Sequence, residues 1–419
     1  MPNSITVDKL AAQVHAGEFV FIGGSSGAPV AFVDALLQDP QHSEGLQLLT
    51  SFVPGINTLD IDRLHPSARV SGLFMHPAFG AAQRDGRYRT LPMTYASFVR
   101  HIRDNVTPDL VVVQVAPPDS RGRCSLGPAV EFMPEVLKKS RRVLGLINKN
   151  VPSIPGAFSI AFDQLTAACE VETALPTYVT DTDAATEAIA ANIASLIADG
   201  AAVQVGLGKV PAALSRLLRN HRKLRLHSGM LSDGLLELAE SGALDPDFIP
   251  LSTVLIGSEN LYQSLNGFKN LRVVGTEVTH DLPTLINLPG LIAVNSALEV
   301  DLFGQCNLEH ANGRAVSGCG GAPDFARGAR LSAGGNSIVA LNATFGSKDK
   351  LGSRILPALS TNAVASLSRI DVDVVVTEFG IAHLRGRSVH ERAEALIAVA
   401  APQFHNELQN AWSTIAAKL

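Results

Sequence analysis

Cysteine is scarce in this chain. Cys124, Cys169, Cys306 and Cys319 are the four among 419 residues, and no two stand in C-x-x-C spacing. That excludes the common zinc and dithiol patterns, so each reads as a buried reduced thiol in a reducing compartment. Charge of one sign is also lacking: the net charge is -5, with no long basic run, which argues against a nucleic-acid partner. No uncharged apolar run reaches the roughly 18 residues of a membrane span. The stretch from Met1 to Phe19 carries Asp8, Lys9 and Glu18 and has no apolar h-region, so no signal peptide is expected. These absences predict a cytoplasmic protein with no membrane, metal or redox cofactor.

The chain is 46% apolar and only 17% charged, enough to bury large cores, and its length predicts two domains. Helical periods alternate with short apolar runs, the pattern of an α/β protein with largely parallel sheets. Phe19–Ile22, Leu46–Val53, Leu110–Val115 and Val143–Ile147 read as strands. Val30–Leu37 reads as a helix opened by Pro29. Between Asp183 and Asp199 the apolar residues Ile189, Ile193, Leu196 and Ile197 fall on one helical face, with Gly200 as the stop. A strand at Ala201–Val205, a turn at Gly206–Pro211 and a helix at Ala212–Leu218 follow.

This later unit echoes the first. Gly24 stands five residues before Pro29, and Gly206 five before Pro211, each between an apolar strand and an amphipathic helix. The echo predicts two similar halves produced by duplication, 1–180 and 181–419.

Three regions suggest chemistry. The turn Gly206-Leu207-Gly208-Lys209 leads into a helix, where exposed N–H groups favour anions and glycine permits close approach; an ordinary tight turn is the alternative. Gly318, Gly320, Gly321 and Gly328 fall within Gly318–Ala329. Glycine is costly inside helices and strands, so these suit a loop laid against a ligand. The run Thr377-Glu378-Phe379-Gly380 follows a strand-like Val372–Val376, and sites in α/β sheets lie at such strand ends. Glu378 is alternatively a structural carboxylate holding Arg385 or Arg387.

Together with Val294–Gln305, Ala116-Pro117-Pro118-Asp119 and Cys124-Ser125-Leu126-Gly127, these stretches resemble the acetyl-CoA hydrolase/transferase family, of the 4-hydroxybutyrate CoA-transferase type. The resemblance spans nearly the whole chain. It implies two similar open α/β domains of the CoA-transferase type with a cleft between them, the acyl group entering there. CoA would lie mainly against the C-terminal half, through Gly206, Gly208, Lys209, Gly318, Gly320, Gly321 and Asp324. No cofactor is implied beyond the coenzyme A thioester as substrate. The partners implied are an acyl-CoA and a small acid of the acetate, butyrate, 4-hydroxybutyrate or itaconate type, and the protein would be a homo-oligomer, with a dimer favoured.

In the family a glutamate attacks the acyl-CoA and forms a glutamyl-CoA thioester, splitting one hard step into two. It lies in a His-Thr-Glu-Met-type segment before Ser-Asp-Gly. Here the segment is His227-Ser228-Gly229-Met230-Leu231-Ser232-Asp233-Gly234, so Gly229 stands where the glutamate is expected. A branch resembling itaconate CoA-transferases carries the same variant. Glu299, Glu277 and Glu378 are the candidate replacements, in that order, and the missing side chain is expected to leave space beside Gly229. Two other outcomes stay open: an acyl-CoA hydrolase and a non-catalytic CoA-binding protein. Gly23-Gly24-Ser25-Ser26-Gly27 also fits the G-x-S-x-G elbow of serine hydrolases, a short and weak match.

Overall fold

The computed structural model of the protein describes residues 3–347 and 350–419, with side chains described from Ile5 onward; Met1 and Pro2, at the start of the N-terminal stretch read above, lie outside the described residues. The chain forms two compact units. One comprises Met1–Val179 and Ile249–Thr279, the other Thr180–Phe248 and His280–Leu419. The segment Ile249–Thr279 thus packs with the N-terminal unit, although a single cut near residue 180 assigns it to the C-terminal half.

The first unit is built on an eight-stranded sheet. Its strands are β1 (Asn3–Ser4), β2 (Phe19–Ile22), β3 (Gln47–Thr50), β4 (Arg69–Gly72), β5 (Tyr88–Thr90), β6 (Leu110–Val115), β7 (Arg142–Asn148) and β8 (Ala167–Val171). They lie in the order β1-β8-β7-β6-β2-β3-β4-β5, and every pair is parallel. All six residues of β6 are buried, as its unbroken Leu-Val-Val-Val-Gln-Val run requires of a strand covered on both faces.

The second unit carries a six-stranded sheet of β9 (Ala202–Gln204), β10 (Arg225–Leu226), β11 (Leu291–Ser296), β12 (Asn336–Ala340), β13 (Val374–Thr377) and β14 (Gly380–His383). The order is β10-β9-β11-β12-β13-β14, parallel except for the last pair, a hairpin through Glu378 and Phe379.

The two sheets share a topology. In the first, β2 lies between β3, the next strand in the chain, and β6, which follows after β4 and β5 have extended the sheet beyond β3. In the second, β9 likewise lies between β10, the next strand, and β11, with β12 and β13 following outward as β7 and β8 do in the first. This is the doubly wound order with a switch point beside the first strand. It agrees with duplication, and it puts the turns after β2 and β9 in equivalent places.

Local sequence accounts for the helices that follow. Asp183 caps the helix Ala184–Ala194, its carboxylate accepting from Thr186 N at 2.9 Å. The helix Lys209–Leu218 starts at Gly208, whose φ of 127° is glycine territory. The glycine-rich stretch departs from expectation. Only its start is a loop, for Ala322–Leu331 is helical and Gly328 lies inside that helix. A Cβ at Gly328 would come 2.5 Å from Leu285 Cβ, so this glycine serves close packing on the helix Leu282–Ile286. Asp324 falls in the first helical turn. Ahead of Glu277 the chain forms a short strand, Arg272–Val273, paired with Leu251–Ser252 outside both large sheets.

Candidate functional site

In the second unit, β9 ends at the switch point and hands the chain to Gly206-Leu207-Gly208. Ligands of doubly wound sheets bind outside the carboxyl ends of the strands at that point. A Cβ at either Gly206 or Gly208 would meet nothing within 4 Å, so the backbone there faces open space. Lys209 does not point freely into it. Its Nζ lies 3.1 Å from Asp183 Oδ2, an exposed pair; the capping hydrogen bonds from Thr186, and after them the one from Lys209, hold the Asp183 carboxyl at a pKa of about 2.

The loop Gly318–Gly321 precedes the crossover helix between β11 and β12, and so lies at the same carboxyl end of the sheet. Gly320 has φ 53°. Gly321 is a glycine for another reason: a Cβ there would stand 2.1 Å from His280 Nε2. The same imidazole crowds Gly229. A Cβ at 229 would lie 2.9 Å from both His280 Cε1 and Nε2, and 3.4 Å from Phe325 Cε2. The expected space beside Gly229 is therefore filled. His280 is 2% exposed and packs edge-on against Phe325, ring centroids 4.7 Å apart. Burial, with a smaller push from His227, lowers its pKa to about 3, so the ring is neutral at ordinary pH.

The three candidate carboxylates differ sharply. Glu299 is clamped: Asn307 Nδ2 (3.1 Å) and Ser360 N (3.0 Å) donate to Oε1, and Ser360 Oγ (2.7 Å) donates to Oε2. It borders a cavity of about 420 Å³ together with Arg354 and His310. Glu378 accepts from Ala343 N at 2.8 Å. It holds neither arginine, since Arg385 pairs with Asp373 and Arg387 with Glu391.

Glu277 belongs to the first unit, on the short helix Thr276–Thr279. Its carboxylate folds back over Gly275, where a Cβ would meet Oε2 at 2.0 Å, and Oε2 is buried without a hydrogen-bond partner. Burial raises its pKa, and the nearby Glu135 raises it further. The structure does not gather the three into one cluster: Glu299 and Glu378 are in the second unit, Glu277 in the first.

Sequence reasoning missed two features. One is His280, whose partners Gly229 and Gly321 are remote in the chain. The other is a buried carboxylate in the first unit, Glu131, which accepts from Ser25 Oγ (2.6 Å), Ser51 Oγ (2.5 Å) and Gly24 N (3.1 Å). Burial raises its pKa against the pull of those hydrogen bonds. Ser25 does have the left-handed backbone of an elbow, φ 51°, but it is 1% exposed and committed to Glu131, so it presents no nucleophile. Cys124, Cys169 and Cys306 are buried free thiols and Cys319 is half-buried. Among the described residues no cluster suits a metal ion, and no helix is long and apolar enough to cross a membrane.

Comparison with known proteins agrees with this geometry. Residues 3–171 match the Acetyl-CoA hydrolase/transferase N-terminal domain, and residues 257–412 match the C-terminal domain. The chain is 32% identical to a 4-hydroxybutyrate coenzyme A transferase of Clostridium kluyveri, over 97% of this chain and 96% of that protein. Among solved structures it is similar to RipA from Yersinia pestis (TM-score 0.90, 25% identity, 98% of this chain and 97% of the other). It is also similar to a 4-hydroxybutyrate CoA-transferase from Porphyromonas gingivalis (TM-score 0.80, 26% identity, 99% and 98%). With both halves matched and a relative similar from end to end, the chain belongs to the acetyl-CoA hydrolase/transferase family.

Proposed function

We propose that this protein is a CoA-transferase that moves CoA between an acyl-CoA and a small carboxylic acid of the acetate, butyrate, 4-hydroxybutyrate or itaconate type. The observation that carries the reading is the bare backbone at Gly206 and Gly208, open to ligand at the switch point of the second unit's sheet, in a chain whose full-length relative is a CoA-transferase. Gly206, Gly208 and the loop Gly318–Gly321 would meet the CoA, with Lys209 and Asp324 flanking them. The thioester is substrate, and no resident cofactor belongs to the proposal. A homo-oligomer, with a dimer favoured, and a cytoplasmic location complete it.

For the carboxylate we put Glu277 first. Glu299 and Glu378 are occupied by hydrogen bonds that shape the fold, whereas Glu277 has an unpartnered oxygen and a pKa raised by burial. Poor hydration makes its ionised form a better nucleophile while making that form harder to reach. In the step proposed, a Glu277 oxygen attacks the thioester carbonyl carbon, the C–S bond breaks, and CoA leaves as thiolate. The thiolate then attacks the glutamyl carbonyl and frees the original acid. The acceptor acid takes the CoA by the same two steps in reverse.

Hydrolysis in the space expected beside Gly229 would need room for water, and His280 with Phe325 fills that volume, which favours transfer. Incubation with a panel of acyl-CoAs, with and without acetate, succinate or itaconate, tests the reading by mass analysis of products and protein. CoA exchange dependent on the acid is expected. Acyl-CoA loss at the same rate without any acid would establish the hydrolase instead, and binding without turnover would sink both.

A further inference from the structure

Gly229 and Gly321 come from different segments of the second unit, yet both lack a side chain on account of one ring. A Cβ at 229 would press on the Cε1 and Nε2 edge of His280, at 2.9 Å to each atom; a Cβ at 321 would press on Nε2 at 2.1 Å and Cδ2 at 2.5 Å. Contacts under 3.0 Å of this kind force something to move. The imidazole therefore stands against two backbones at its Nε2 edge. One is the segment His227–Leu231, and the other is the residue that opens the helix Ala322–Leu331 and closes the glycine loop. Phe325, one turn into that helix, packs on the same ring at 4.7 Å and also faces His227, with centroids 6.3 Å apart. The ring is rigid, buried and uncharged.

We propose that His280 is a positioning residue: packed against both Gly229 and Gly321, it sets how far the glycine loop at Gly318–Gly321 stands from the His227–Leu231 segment, and through that spacing it governs binding of the acyl-CoA. The inference rests on the reading that this loop meets CoA. It differs from a role in folding alone, because the two backbones it touches both belong to the candidate site. It also makes the residues interdependent: each glycine is needed only while the ring is present.

The test is a cycle of four variants, His280→Ala, Gly321→Ala, Gly229→Ala and the double His280→Ala/Gly321→Ala, compared with the intact protein. Melting temperature, CoA affinity by calorimetry, and KM and kcat for the acyl-CoA are measured for each. Truncating His280 lets the loop close on the vacated volume, so KM for the acyl-CoA should rise about tenfold or more, and CoA affinity should fall in parallel. KM for the free acid should move much less. Gly321→Ala and Gly229→Ala should each weaken CoA binding, while the double variant, in which the added methyl occupies space left by the ring, should bind better than either of its parent single variants. If His280→Ala lowers only the melting temperature and leaves KM and CoA affinity unchanged, or if the double variant binds no better than the singles, the inference is overturned. Should His280→Ala not fold, His280→Gln and Gly229→Ala give the same KM and affinity readout. Absence of CoA binding by the intact protein is a separate outcome that refutes the functional reading.

Discussion

Glu277 and Glu299 are both carboxylates on short elements, yet their surroundings ask opposite things of them. Three hydrogen bonds, two of them from Ser360, make Glu299 a tie between its strand and the 360 region. Glu299→Gln should therefore cost on the order of 1–3 kcal/mol, since one acceptor oxygen is replaced by an amide nitrogen that donates, facing donors. Its turnover should drop far less than that of Glu277→Gln, which removes the charge at the carboxylate with the unpartnered oxygen and should lose on the order of 10²-fold or more in kcat. Single-turnover rates and melting temperatures of the two variants decide the matter; equal turnover in Glu277→Gln and the intact protein would remove Glu277 from the chemistry. The restoring substitution Gly229→Glu is governed by His280. Because the new Cβ meets the ring at 2.9 Å, the single variant should be destabilised by about 1–3 kcal/mol and form no hydroxylamine-sensitive CoA adduct. Paired with His280→Ala it should gain both stability and the adduct. Adduct formation by the single variant, seen by mass, would mean that the ring yields easily.

At the scale of elements, the legible parts were those written in contiguous residues. The buried strands β2, β6 and β7 stand out as largely apolar runs, and the helix Ala184–Ala194 as a periodic face, although the periodicity runs on to Ile197 and points to a stop at Gly200 whereas the helix ends at Ala194. The turn after β9 was legible because glycines and a following proline mark it. The contacts that make glycine necessary were not. Gly328 looked like loop but packs a helix against Leu285, and Gly321 looked like ligand-facing backbone but packs on His280. Both reasons depend on neighbours brought together only by the fold. That difference selects the cleaner probe of the CoA loop. Gly320→Val combines any loss of CoA contact with a left-handed φ of 53° that a β-branched residue resists. Gly206 has ordinary backbone and open space at its Cβ. Gly206→Ala should leave the melting temperature within about a degree, because surface changes of this kind are worth under ~0.5 kcal/mol. It should weaken CoA binding roughly tenfold, about 1.4 kcal/mol, because the methyl stands where the ligand approaches. Unchanged CoA affinity in calorimetry would mean an ordinary turn.

Over the whole molecule, buried titratable groups set a stability profile with two opposed slopes. His280 has its pKa lowered from 6.5 to about 3 by burial. Between those values the unfolded chain binds a proton that the folded protein refuses, so stability rises with pH across this window and is lost as pH falls through it. One such group contributes at most about 1.4 kcal/mol per pH unit. Glu135, held at about 2 chiefly by its hydrogen bond from Arg103, acts in the same direction, but only in the more acid range up to its usual 4.5. Glu131, Glu277 and Asp301 act oppositely: burial raises their pKa values, so above the usual carboxylate range the folded protein holds protons that the unfolded chain releases, and stability falls as pH rises. The observed profile is the sum, and no single curve isolates His280. A difference does. His280→Gln has no titrating ring, while the three raised carboxylates and Glu135 remain. Between pH 4.5 and 6.5 the unfolding free energy of the intact protein should climb with pH more steeply than that of the variant, by up to about 1.4 kcal/mol per unit. Urea unfolding at several pH values measures both slopes, and parallel curves would mean that the ring is protonated in the folded protein and is not the neutral spacer its burial implies.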